Sequence, residues 1–170
     1  SWGVGTQGFE EFKLAQYNSR EVSVITQLQE SHLYVGRRWQ QQKSLEAFSS
    51  PKGDDTSSLR KVILIGDSYA QDLLNGVYEA GLDRHFIFSL HYISGSCGNL
   101  WTSQDLTKHI NASNKYCLNQ PRYNVPRLIY LLKEADEVWL ASSWRLWQVP
   151  YLIDTIDNLS KRSKARLRVF

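Results

Sequence analysis

Three residues in the run LRKVILIGDSYAQDLLNGVYEAG, residues 59–81, have types and positions suited to chemistry: Gly66, Asp67 and Ser68. They stand where a buried apolar stretch gives way to an amphipathic one. Asp67 or Ser68 there can cap a helix by accepting an orphan backbone N–H. A serine there can also be a nucleophile. Its hydroxyl projects from a sheet edge, and the free N–H groups of the helix N-terminus face a developing oxyanion. The tripeptide alone leaves both roles open.

The elements that must position these residues follow from hydrophobic rhythm. KVILIG is a near-continuous apolar run rich in β-branched residues, as in a strand covered on both faces. The next stretch puts Ala70, Leu73, Leu74 and Val77 at helical spacing, and Gly81 is a natural stop. HFIFSLHYI (85–93) reads as a second strand, followed by a long polar loop. VPRLIYLLKEA (125–135) reads as a helix and EVWLASSW (137–144) as a third strand. VPYLIDTIDNLSKRS then gives a further helix and ARLRVF a fourth strand. Strand and helix alternate, which predicts a parallel sheet flanked by helices. Sites in such sheets form at the carboxyl ends of strands. Ser68, the segment Ser94 to Gly98, and Ser142 to Trp144 all fall at such ends.

Residues 1–58 are different in character: polar, rich in Gln, Ser and Glu, and closed by the linker-like SSPKGDDTSS. They read as an extension that packs on the domain or leads into it, with Val22, Ile25, Leu28, Leu33 and Trp39 as possible helical contacts. The domain itself is expected over 59–170. The chain holds no Met and stops in what reads as mid-strand, so it is expected to be a piece of a longer protein, its carboxyl-terminal part missing.

At 170 residues the chain is long enough to bury a core. Its formal charge of +3, from 20 basic and 17 acidic residues, is too small an excess to point to nucleic acid. The basic cluster KRSKARLR (161–168) reads as a solvated helix end entering a strand. No apolar run approaches the roughly 18 residues of a membrane span, and no signal-peptide pattern opens the chain. No metal is expected, since no His/Cys/Asp cluster has ligand spacing, and no cofactor, since no phosphate-cradling glycine loop is present. The sequon at 111–113 reads as chance. Cys97 and Cys117 flank a polar segment, and their number alone leaves a bridge and two free thiols equally open.

The block ILIGDSYAQDL resembles the first motif of the SGNH hydrolases. It is most similar to the SGNH domains attached to bacterial membrane acyltransferases of the acyltransferase-3 type, with Tyr69 where that group often has His. YISGSCGNLW resembles the small-residue and cysteine segment after the group's second strand, and VWLASSWRLW its third-strand segment. Together these cover residues 60–170. The resemblance implies a three-layer α/β/α sandwich with a flavodoxin-like parallel sheet. It implies Ser68 as nucleophile and oxyanion N–H donor, Asp67 as a positioning residue, and Gly95 or Gly98 as a second donor. Most SGNH enzymes have an Asn after the third strand. Here Ser142, Ser143 and Trp144 stand there, and Asn99 is the substitute candidate. Ser143 and Trp144 are candidate substrate contacts.

The family's base is the His of a carboxyl-terminal Asp-x-x-His. None is present after the fourth strand, and His32, His85, His91 and His109 lie elsewhere, so this chain is expected to be a poor catalyst by itself. The resemblance further implies acyl transfer or ester hydrolysis on a cell-envelope polysaccharide, with a surface carbohydrate acceptor and an acyl donor as partners. A membrane acyltransferase domain is expected in the same parent chain, tethering it to the inner membrane on the periplasmic side. In that compartment a Cys97–Cys117 disulfide is expected. The rival reading is a catalytically incomplete SGNH-fold module that binds carbohydrate through Trp101, Trp144 and Trp147. A receiver-like or nucleotide-binding domain fits less well, because the first loop lacks the glycines or acidic cluster it needs.

Overall fold

The four expected strands all form, each in the order the apolar runs set. The computed structural model describes residues 34, 36–42, 44–48, 57–110, 116–117 and 122–170. Val22, Ile25, Leu28, Leu33, His32 and the sequon at 111–113 lie outside the described residues. The strands are β1 (Arg60–Gly66), β2 (Phe86–Tyr92), β3 (Glu137–Ala141) and β4 (Arg166–Val169). All pairings are parallel, in the order β2-β1-β3-β4. The chain is thus α/β with a four-stranded parallel sheet whose order is that of a flavodoxin-like fold.

Helices α1 (Ser68–Glu79), α2 (Pro126–Leu131) and α3 (Val149–Ser160) connect the strands. Alternation along each strand sends neighbouring side chains to opposite faces. Val62, Leu64, Phe88, Leu90 and Trp139 pack with Ala70, Leu74 and Val77 of α1. Ile63, Ile65, Val138 and Leu140 pack instead with Leu128 and Leu131 of α2 and Leu159 of α3. Residues 62–65 are wholly buried, which is why that run carries no polar residue. No described helix is long and apolar enough to cross a membrane.

Arg38–Phe170 form one compact unit that holds the whole sheet. Within it Trp39 joins the α1-side core, and Leu45 joins the other. The Leu45 N–H donates to the Leu90 carbonyl at 2.8 Å, beside a parallel bridge from Ser44 to Leu90 on the outer edge of β2.

Some boundaries differ from the sequence reading for local reasons. β3 stops at Ala141 rather than at residue 144, because Ser142 and Ser143 turn their polar groups away from the ladder to bind other loops. His85 lies in a single 3₁₀ turn, Asp83–His85, ahead of β2. α2 ends at Leu131, and tight turns carry the chain from there to β3.

Candidate functional site

The carboxyl ends of β1 and β3 come very close together. A Cβ on Gly66 would lie 1.7 Å from the Ala141 carbonyl oxygen, so only glycine fits there. Asp67 follows immediately and is 3% exposed. It caps α1, its Oδ1 accepting the Tyr69 N–H at 3.0 Å while its own carbonyl accepts the N–H of Ala70 at the same distance. The same carboxylate reaches across the strand ends to the Ser143 N–H, at 3.3 Å from Oδ1 and 3.1 Å from Oδ2. It also lies against the loop after β2, since a Cβ on Gly95 would sit 2.5 Å from Oδ2. One buried carboxylate therefore touches all three loops at this end of the sheet.

Ser68 is the first residue of α1 and is exposed. It stands just past the carboxyl end of the interior strand β1, at the point where the order β2-β1-β3 reverses the direction of winding. In open parallel sheets this switch point is where ligands bind. The Ser68 and Gly95 N–H groups donate to no backbone acceptor among the described residues. Gly95 opens a 3₁₀ turn, Gly95–Cys97, whose last residue is bonded to Cys117. That disulfide, with a Cα–Cα distance of 4.9 Å, settles the question the cysteine count left open.

Comparison with known proteins finds no matching family model, no similar curated protein and no similar solved structure.

The remaining candidate residues are placed as follows. Gly98 is buried, its N–H directed at the Gly95 carbonyl at 3.4 Å and its Cα facing the Trp147 ring. Asn99 is fully buried. Its Nδ2 donates to the Ile65 carbonyl at 3.3 Å and to Ser142 Oγ at 2.9 Å, and its Oδ1 accepts the Tyr123 hydroxyl at 2.5 Å. Both amide protons are thus engaged, and Asn99 acts as a tie between β1 and the loops after β2 and β3. The Ser143 side chain belongs to an exposed residue, but its backbone is held by Asp67. The Trp144 indole N–H donates to the Phe170 carbonyl at 2.6 Å.

Among the described histidines, none is hydrogen-bonded to Ser68. His85 lies at the opposite end of β2, about 20 Å along the strand. His91 is buried, with Nε2 at 2.5 Å from the Arg122 carbonyl and Nδ1 without a partner. Burial holds its pKa below the ordinary value, against the raising effect of that hydrogen bond. His109 stacks on Trp147 with centroids 4.7 Å apart. Trp101 stacks on Tyr123 at 5.1 Å, and the Arg162 guanidinium lies over its ring at 4.4 Å.

Sequence reasoning passed over Tyr123, which burial raises far above an ordinary phenol and which orients Asn99. It also passed over Tyr92, the in-register partner of Gly66. The signal available for Tyr92 is its place next to the end of the apolar run HFIFSLHYI. Tyr123 sits in a polar loop, and no local pattern marks it.

Proposed function

We propose that this chain is an SGNH-like domain of three-layer α/β/α type, acting as a serine esterase or O-acyltransferase on acyl groups of a bacterial cell-envelope polysaccharide. One observation carries the reading: an exposed serine heads a helix at the switch point of a parallel sheet, behind a buried aspartate that is bonded to the loop after β3 and lies against the loop after β2. In this mechanism Ser68 Oγ attacks the acyl carbonyl carbon as its proton passes to a base. The oxyanion forms against the Ser68 N–H and the Gly95 N–H, with the helix N-terminus adding its favourable potential. Collapse expels the first alkoxide, which takes up the proton and leaves an acyl ester on Ser68. A sugar hydroxyl or water then attacks that ester and regenerates the serine. The family resemblance puts the base, an Asp-x-x-His, downstream of β4. The disulfide supports an oxidising compartment and hence the periplasmic side of the inner membrane. A membrane acyltransferase domain in the parent chain would tether it there.

The test is a fluorophosphonate probe and a small acetyl ester. They are applied to residues 1–170, to a version extended along the reading frame, and to Ser68→Ala in each. The expected result is labelling mapped to Ser68 and ester hydrolysis at least about 10³-fold faster in the extended version, both lost in Ser68→Ala. Equal rates in the short and extended versions, with Ser68→Ala abolishing both, would place the base within residues 1–170. Absence of labelling in every version removes the serine chemistry and leaves the carbohydrate-binding module.

A further inference from the structure

The tryptophans expected to stack on sugars already have partners within the protein: Trp101 stacks on Tyr123 and carries Arg162 over its ring, Trp147 stacks on His109, and the Trp144 indole donates to the Phe170 carbonyl. The aromatic surface at the Ser68 end of the sheet comes from tyrosines instead. Tyr69 follows the serine and is 58% exposed. Tyr92 ends β2 as the register partner of Gly66 and is 37% exposed. Tyr116, 58% exposed, adjoins Cys117, and the disulfide fastens it to the Gly95–Cys97 turn.

Tyr92 and Tyr116 are near neighbours, and Tyr69 is next to Ser68 in the chain. Tyr92 is hydrogen-bonded to the Ser94 side chain, and its ionisation is raised by burial and then by Tyr116 and Asp67. Ser94 Oγ lies 2.9 Å from Ser96 Oγ, and Ser96 is exposed. Large rings are costly to leave in water, so a group of them around a candidate nucleophile points to a ligand. Rings interleaved with hydroxyls match a pyranose, whose C–H face is apolar and whose edge is polar.

We propose that Tyr69, Tyr92 and Tyr116 form a saccharide-stacking rim that holds the acceptor sugar beside Ser68. The inference rests on the proposed sugar acylation chemistry and specifies where that chemistry takes its acceptor. Tyr69 would then serve the acceptor side directly, at the position after the nucleophile.

The experiment is calorimetric titration of the protein with tetrasaccharides of glucose, N-acetylglucosamine, mannose, galactose and rhamnose. The expected result is saturable binding to at least one, weakened about tenfold by each of Tyr69→Ala, Tyr92→Ala and Tyr116→Ala. Tyr92→Phe, which keeps the ring and its edge contact with Trp39, retains most of the affinity. Tyr130→Ala, at an exposed tyrosine on α2, leaves the affinity unchanged. Thermal unfolding of each variant excludes loss of fold as the cause. No saturable binding to any tetrasaccharide, or equal affinity in wild type and all three alanine variants, overturns the rim. If Ser68 is labelled by the phosphonate in that case, the serine chemistry stands without it. Tyrosine-dependent binding with no labelling keeps the rim and removes the esterase.

Discussion

Asp67 accepts the backbone N–H of Ser143 from across the sheet, 76 residues along the chain, with Oδ2 at 3.1 Å. The same side chain caps α1, so one carboxylate fixes both the helix that carries Ser68 and the loop that follows β3.

Replacing Asp67 by Ala removes the cap and strands a Ser143 N–H that is partly withdrawn from water. The expected cost is about 2 kcal/mol of stability, read as a lower urea midpoint with an unchanged slope. Asp67→Asn keeps one acceptor oxygen and should lose about half as much. Equal losses in the two variants would mean that charge, rather than hydrogen bonding, fixes the loop.

Gly66→Ala tests the close approach of β1 and β3. Its methyl would meet the Ala141 carbonyl at 1.7 Å and the Ala70 methyl at 2.9 Å, and neither is a flexible side-chain end. We expect about 3 kcal/mol of destabilisation and poor soluble yield. Gly76→Ala, at a helical site with open space, is the matched control and should be neutral or slightly stabilising.

The Cys97–Cys117 bridge closes a loop with a sequence separation of 20, for which chain entropy suggests about 3 kcal/mol. Reductant should lower the unfolding midpoint of the wild type but not that of a Cys97→Ala/Cys117→Ala double variant. Mass spectrometry without reductant should find no free thiol. Two alkylatable thiols in protein recovered from an oxidising compartment would contradict the pairing.

Stability should fall in two separate acid windows. Burial lowers the His91 pKa, so below about 6.5 the unfolded chain takes up a proton that the folded chain refuses, and stability drops as pH falls. Glu137 is held at about 2, first by its hydrogen bond from Arg168, with Trp139 and Arg60 adding to it. Its contribution is complete above the ordinary carboxylate value and is lost between there and about pH 2. The guanidinium partners are substantially exposed, so solvent screening leaves on the order of 2 kcal/mol. Glu137→Gln should flatten only the lower window and His91→Asn only the upper one, as read from urea midpoints against pH.

Local pattern carried the sequence a long way. An unbroken, β-branched apolar run over 62–65 that ends at Gly66 reads as a strand buried on both faces, and helical spacing from Ala70 to Val77 reads as one buried side of a helix, as the two cores bear out. The order and type of the elements, and the position of Ser68 between β1 and α1, follow from that rhythm, because periodicity records which faces leave water. What meets what across the loops was decided by the tertiary structure. Asn99 read as a candidate donor; packing places its amide between the Ile65 carbonyl and Ser142, with Tyr123 closing its other side. Trp101 read as a possible sugar platform, and packing stacks Tyr123 and the Arg162 guanidinium on its ring. Trp39 and Leu45, in a polar stretch that reads as an extension, complete the two cores. Each of these contacts joins groups that belong to different elements, and a side chain's type states only that it needs a partner. The partner is chosen when parallel strands in the order β2-β1-β3-β4 bring three distant loops to one end of the sheet.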